Sequence, residues 1–338
     1  MRERVVLAFS GGMDSTTAAR ILQSEYDVEA LTLNTTGDNE MLSMARERAT
    51  ELGISLNVRD VQKEFKRDII DYFIHSYGAG RTPAPCTVCN PAIKWRYLIE
   101  EADKLGVEHV ATGHYFNIEH YNNHYYVARA DDLRKDQSYY LWALDQATLR
   151  RAITPMGHIR KQDIRKNFAT QRESMGLCFL QGVTYRDYIA QHHPELSREG
   201  DVVNSEGCVV GHHAGVAFYT IGQKRGFECR EAGAVVVGMD IEQNRLLVGK
   251  DIDLYHSTLE IGGCRIVDKE EFVDATDIRV VIRGIGRNPE GFMRRAEATA
   301  SGYRILLDDP AWAPAVGQPV VFYRQNRVIG GGFVERYD

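Results

Sequence analysis

The chain has 338 residues, 43% hydrophobic and 26% charged, with a net charge of −6. That length fits two or three domains with sizeable cores, and the composition excludes wholesale disorder and collagen-like repeats. No apolar run reaches the ~18 residues that cross a bilayer. The N-terminal stretch from Met1 to Phe9 reads as a first strand rather than a signal peptide. Six cysteines are too sparse for a disulfide scaffold, so free thiols, a reducing cytoplasmic location and no membrane partner are expected. An acidic chain does not announce a nucleic-acid partner, and any such surface must be a local basic patch.

Up to about residue 195, strand-like and helix-like segments alternate. Val5–Phe9 is a strand ending at a glycine pair, and Thr16–Gln23 is helical. Val28–Leu33 is a second strand, and Met41, Ala45, Ala49 and Leu52 follow helical spacing. Leu56–Val61 is strand-like, Phe65–Tyr77 and Ala92–Leu105 are helical, and His109–Thr112 is a strand. Such alternation predicts a mostly parallel sheet covered on both faces. His120–Ala130, turning on Asn122-Asn123, reads as a hairpin appended to it. After Pro194 the texture becomes glycine-rich with short Val/Ile/Tyr runs: Gly233–Met239, Arg245–Val248, Ile278–Ile282 and Val320–Tyr323. That pattern predicts one small β-rich domain and one barrel or sandwich. The expected boundaries are residues 1–195, 196–257 and 258–338.

Strand Val5–Phe9 runs into Ser10-Gly11-Gly12-Met13-Asp14-Ser15 and then a helix. Two glycines let backbone N–H groups close on an anion without an intervening β-carbon. Ser10 and Ser15 add hydroxyls, and the helix N-terminus adds the positive end of its dipole. The loop lacks the Gly-Lys-Ser/Thr ending of a Walker A loop and is not a dinucleotide fingerprint. A plain glycine turn with Asp14 or Ser15 as N-cap is the alternative.

Residues 78–90 carry Pro83, Pro85, Cys86 and Cys89 and read as a rigid, non-helical loop ahead of a helix. A cysteine just before a helix N-terminus tends towards the thiolate, a nucleophile or metal ligand. Cys178 is a third candidate, whereas Cys208, Cys229 and Cys264 lie in β-like segments and read as buried apolar residues. A structural zinc site wants four ligands and no second cysteine pair exists. A thioredoxin-like dithiol is disfavoured because the pair does not follow an early strand of a small βαβ unit. Persulfide chemistry remains, as does a [4Fe–4S] cluster on Cys86, Cys89 and Cys178.

The loop Ser-Gly-Gly-x-Asp-Ser resembles that of N-type ATP pyrophosphatases, which transfer AMP to an oxygen and release pyrophosphate. With Arg81-Thr-Pro-Ala-Pro-Cys-Thr-Val-Cys-Asn90, Lys94-Trp95, Ala111-Thr-Gly-His-Tyr115, Lys135-Asp-Gln-Ser-Tyr-Tyr-Leu141, Gly176-Leu-Cys-Phe179, Tyr219-Thr-Ile-Gly-Gln-Lys-Arg-Gly226, Gly317-Gln318 and Gly330-Gly-Gly332, nearly the whole chain resembles the bacterial tRNA-specific 2-thiouridylase (MnmA) family. The resemblance implies an α/β fold: a mostly parallel-sheet ATP pyrophosphatase (adenine nucleotide alpha hydrolase-like) domain, a small central domain and a C-terminal β-barrel. It implies a tRNA-uridine 2-sulfurtransferase that uses ATP and Mg2+. The implied partners are tRNAs of the Lys, Glu and Gln type and a sulfur donor, either a cysteine desulfurase or a relay protein.

By the same resemblance ATP falls to Ala8, Phe9, Ser10, Gly11, Gly12, Met13, Asp14 and Ser15, with Leu33 near the adenine and Gly113 lining the site. Asp14 assists adenylation with magnesium, Cys89 is the nucleophile and Cys178 the persulfide carrier. Ala84, Pro85, Cys86, His114, Lys135, Asp136, Gln137, Arg283 and Gln318 take the tRNA-contacting positions. The chain departs from the family's usual pattern where Ala84 replaces Asn, Cys86 replaces Asp, Trp95 replaces Phe and Gly284 replaces an aromatic.

Two basic runs add independent support for RNA. Arg150, Arg151, Arg160, Lys161, Arg165, Lys166 and Arg172 stand against Asp163 alone, and the surface around Lys161, Arg165 and Lys166 is expected to grip tRNA backbone. Arg279, Arg283, Arg287, Arg294, Arg295 and Arg304 form the second. A small-molecule synthetase would leave the cysteines and barrel without a task. A metal-dependent RNA-binding module would leave Ser10–Ser15 unexplained.

Overall fold

The computed structural model describes residues 2–168, 176–282 and 291–338. The chain forms two compact units. The first gathers the described residues of Met1–Ile70, Cys86–Ser174 and Asn326–Ile329, the second those of Asp71–Pro85, Met175–Gln325 and Gly330–Asp338.

In the first unit, β1 (Arg4–Ala8), α1 (Met13–Leu22), β2 (Asp27–Asn34), α2 (Asn39–Leu52) and β3 (Ser55–Asp60) alternate as expected. After β3, α3 (Gln62–Phe65) leads through a π-helical turn over Lys66–Ile70 into α4 (Asp71–Gly78). Then come α5 (Pro85–Cys89), α6 (Arg96–Leu105) and β4 (His109–Thr112), the hairpin β5 (Asn117–Tyr121) and β6 (His124–Ala128), α7 (Gln146–Arg151), β7 (Ala152–Ile153) and α8 (Lys161–Arg165). The parallel sheet has the order β3-β2-β1-β4-β7. Val5, Val6 and Leu7 of β1 are all buried, because a central parallel strand is covered on both faces. The Asp38 carboxylate caps α2 by accepting from the backbone N–H groups of Glu40 and Met41, and Gly53 ends it in the left-handed region at φ 65°.

From β1 the chain steps through β2 to β3 on one side, while β4 and β7 lie on the other. The C-terminal ends of β1 and β4 therefore flank the point where strand order reverses, the usual ligand crevice of an open α/β sheet. One expectation needs correction. The hairpin turns as predicted, with Asn122 and Asn123 at φ 46° and 61°, but Ala128 pairs with Arg327 instead of extending the parallel sheet. The fifth strand of that sheet is β7, two residues long, whose sequence carries no strand signal.

The second unit contains α4 and α9 (Tyr185–His192), whose rings meet: Phe73 packs edge-on to Phe179, and Tyr77 stacks on Tyr185. A four-stranded sheet follows from β8 (Gly200–Val203), β9 (Val209–His213), β10 (Val235–Asp240) and β11 (Arg245–Gly249), in the order β10-β11-β8-β9. The last part is a six-stranded barrel. Its strands are β12 (Tyr255–Ile266), β13 (Ile278–Val281), β14 (Gly291–Ala298), β15 (Gly302–Trp312), β16 (Pro319–Arg324) and β17 (Arg327–Tyr337), closed where β12 pairs with β17. Closure joins the first and last strands of the barrel to each other, and the buried Phe272 from α10 (Lys269–Asp274) packs edge-on to Tyr303 and Phe322. The central β sheet and C-terminal barrel match expectation. Among the described residues no helix is long and apolar enough to cross a membrane.

Candidate active site

The loop after β1 is drawn tight by its own hydroxyls. Ser15 Oγ donates to Gly12 O at 3.1 Å, and the Ser10 N–H donates to Ser15 Oγ at 3.3 Å. Gly12 caps α1 with no side-chain hydrogen bond, as suits a helix start whose N–H groups serve an anion. Gly11 lies at φ 72°, and a β-carbon there would stand 2.8 Å from Ala45 Cα of α2. Gly113, just past β4, approaches from the other side: its β-carbon would stand 3.0 Å from Ser15 N. The two strand ends thus bring bare backbone together at the crevice, as a phosphate cradle requires. Leu33 lies near the C-terminal end of β2, half-buried.

Asp14, in the first turn of α1, is the hub of the site. Its Oδ1 accepts from Tyr115 Oη at 2.8 Å and from Lys161 Nζ at 2.5 Å. Tyr115 is in turn clamped by Gln137, whose Oε1 accepts the Tyr115 N–H at 2.9 Å while the Gln137 N–H donates to Tyr115 O at 2.8 Å. Asp136 Oδ1 accepts the backbone N–H groups of Ala130 and Ser138, and its Oδ2 accepts Ser138 Oγ at 2.6 Å. Asp136 and Gln137, expected as tRNA contacts, therefore shape their own loop and tie it to Tyr115. Lys135 beside them is half-buried.

His114 Nδ1 lies 2.9 Å from Thr112 Oγ1. Burial pushes its pKa down to about 3, and the Lys94 cation adds to the fall, so the imidazole is neutral at physiological pH.

The cysteine pair is helical, contrary to the extended loop expected. Thr82 to Ala84 lie outside any helix or strand, but Pro85 opens α5, where its fixed φ and missing N–H suit the first helical position. The chain continues through a π-helical turn over Asn90–Trp95 into α6. Cys86 and Cys89 are three apart, so they share a helix face. Cys89 is buried and Cys86 half-buried. Tyr140 is close to Cys86: its phenol pKa is raised by burial and further by the Cys86 charge. Asn90 ties this helix to the same segment, donating from Nδ2 to Tyr140 O at 2.9 Å. Trp95 is buried edge-on to Phe116.

Cys178 belongs to the second unit, exposed on a 3-10 turn and followed by the anchored Phe179. Ala84 and Pro85 also belong to that unit, half-buried and buried. Gln318 is buried there, with Oε1 accepting the Ala315 N–H at 3.1 Å, so its amide holds a turn of the barrel. Arg283 lies outside the described residues. Among the described residues, no group of three or more His, Cys, Asp or Glu side chains is placed to hold a metal ion. None of the three candidate cysteines is joined in a disulfide.

The first basic run is not one surface. Arg151 is spent on Asp103 and on the carbonyls of Val107 and Glu108, and Arg150 pairs with Glu108. Lys161 is 7% exposed and turned inward onto Asp14, which removes it from the expected tRNA grip. Arg160, Arg165 and Lys166 stay exposed, while Arg172 lies outside the described residues. Sequence reasoning overlooked Tyr115 and misplaced Lys161, since no local pattern separates an inward lysine from its basic neighbours.

Residues 3–182 match the family model described as the tRNA methyl transferase HUP domain, and residues 186–250 match the tRNA methyl transferase PRC-barrel domain. A tRNA-specific 2-thiouridylase MnmA 3 from Bacteroides fragilis is 39% identical over 98% of this chain and 94% of its own length. The chain belongs to the MnmA tRNA-specific 2-thiouridylase family. A Phocaeicola vulgatus relative with the same description is 35% identical over 98% of this chain and 94% of its own. For the Cytophaga hutchinsonii MnmA the figures are 33%, 98% and 97%. The family assignment thus covers both cysteine-bearing segments and the loop around Asp14.

Proposed function

We propose that this protein is a tRNA-uridine 2-sulfurtransferase that activates the base with ATP and delivers sulfur through cysteine thiols. The observation that carries the reading is the phosphate-type loop at the switch point, with Asp14 held by Tyr115 and Lys161. Bare backbone at Gly11, Gly12 and Gly113 fits a polyphosphate, and the Asp14 carboxylate fits magnesium, which neutralises phosphate charge when bound. The uridine 2-oxygen attacks the α-phosphorus, forming an O–P bond and expelling pyrophosphate. The C2 carbon then carries a good leaving group, AMP.

Sulfur arrives as a persulfide on Cys178, loaded by a donor protein. The Cys89 thiolate attacks the Cys178 sulfur, a Cys89–Cys178 disulfide forms, and the terminal sulfur leaves reduced as hydrosulfide. Hydrosulfide attacks C2, the C–O bond breaks, and AMP departs with the former uridine oxygen. A thiol reductant then restores both cysteines. Cys86 remains a neighbouring thiol, and His114 and Lys135 lie beside the loop as RNA contacts. The tRNAs are those of the Lys, Glu and Gln type, and the reaction belongs to the cytoplasm.

Incubation with ATP, magnesium and bulk tRNA should release pyrophosphate in a tRNA-dependent manner. Asp14→Ala should abolish that release while tRNA binding stays near wild type. Undiminished release by the variant, or release indifferent to tRNA, would overturn the reading.

A further inference from the structure

The loop from Ser10 to Ser15 offers an anion backbone N–H groups and hydroxyls but no cation. A Walker A loop carries its lysine within the motif. Here a lysine comes from far along the chain: Lys161, at the start of α8, brings Nζ to 2.5 Å from Asp14 Oδ1 and 5.8 Å from the centre of the Tyr115 ring. Its approach is fixed from behind, because the Lys161 N–H donates to Asp132 Oδ2 at 3.1 Å, and Asp132 is itself buried. The Lys161 side chain is 8% exposed, whereas that of Asp14 is 38% exposed. Lys161 is therefore the buried member of the pair and Asp14 the member more open to solvent.

A buried ammonium is costly without an anion against it, and Asp14 supplies that anion. We infer that Lys161 is a phosphate ligand of this site, held ready by Asp14. When a nucleoside triphosphate enters, the ammonium passes from the carboxylate to phosphate oxygens, and Asp14 is freed for magnesium. Each charge keeps a counter-charge throughout, and no covalent bond changes. The same lysine, read from sequence as part of a tRNA grip, is thus a member of the nucleotide site. This role for Lys161 rests on the ATP-dependent function proposed for the protein.

The test is equilibrium binding of ATP, pyrophosphate and adenosine, with magnesium and in EDTA, to wild type, Lys161→Gln, Asp14→Asn and the double variant. Lys161→Gln should weaken ATP and pyrophosphate by ~10–100-fold, the range of a charge-assisted hydrogen bond. Adenosine should change by less than about twofold, since it lacks the groups that the ammonium meets. In EDTA, Asp14→Asn should bind ATP about threefold or more tightly than wild type, because the carboxylate no longer competes for the ammonium. That gain should vanish in the double variant.

Unchanged ATP affinity in Lys161→Gln, or equal losses for ATP and adenosine, would overturn the inference, as would an Asp14→Asn gain that survives without Lys161. If Lys161→Gln gives no cooperative melt, the Asp14→Asn comparison decides, and absence of a gain overturns the exchange. Wild type that binds no ATP at all would instead remove the ATP-dependent reading, and this inference with it.

Discussion

A β-carbon on Gly113 would stand 3.0 Å from the backbone nitrogen of Ser15 and 3.1 Å from the Asp14 carbonyl carbon. The exit of β4 and the first turn of α1 therefore meet backbone to backbone, and neither atom can rotate away. Gly113→Ala should push the loop off its position, costing about 1–3 kcal/mol of stability, as overpacking does. The KM for ATP should rise ~10-fold, while tRNA affinity stays unchanged. A thermal melt and steady-state kinetics check both halves.

His114 makes acid stability site-dependent. Its pKa falls from 6.5 to about 3 in the folded protein, chiefly through burial. Between those values the unfolded chain holds the proton and the folded one does not, so stability rises with pH across that window. The contribution is complete above pH 6.5 and is lost progressively as pH falls towards 3. Urea midpoints from pH 7 down to pH 4 should fall in wild type, and more gently in His114→Asn. Parallel slopes would contradict this.

Arg160, Arg165 and Lys166 are the exposed members of the first basic run. Replacing all three with Gln should weaken binding of every tRNA by a similar factor. The slope of log affinity against log salt should shrink by about one for each phosphate that the variant no longer neutralises. Filter binding at several salt concentrations measures it, and an unchanged slope argues against a role in gripping the tRNA backbone.

The cysteines separate by role. Cys89→Ser and Cys178→Ser should lose tRNA thiolation but keep ATP-dependent pyrophosphate release, because activation precedes sulfur transfer. Cys86→Ser should keep substantial thiolation, since its neighbour Tyr140 and its helix register survive the change. Mass spectrometry of nucleosides from treated tRNA reads the outcome, and full activity in Cys178→Ser would refute the persulfide route.

Much of this architecture was legible because its signals are local. The buried run Val5–Leu7 and the glycine pair after it mark a parallel strand entering a glycine turn ahead of a helix. The Asn122-Asn123 turn marks a hairpin, since both residues tolerate positive φ. What stayed hidden depends on tertiary structure. Two prolines within three residues suggested an extended loop around Cys86, yet Pro85 begins a helix because its ring suits the first turn. The two residues of β7 are a strand only because Val110 and Ala111 pair with them. Lys161 looked like its exposed neighbours until Asp14, 147 residues away, gave it an inward partner.

The first unit is not finished when residue 168 has been made. It includes Asn326–Ile329, where the Arg129 N–H donates to Asn326 O at 2.9 Å and Arg327 pairs with Ala128. On the ribosome, the hairpin's edge must wait for nearly the whole remaining chain to be synthesised before its partner strand exists. The first unit therefore completes its fold only after the first five strands of the barrel have been translated, and an mRNA truncated shortly before the codon for Asn326 yields a chain in which both units are incomplete.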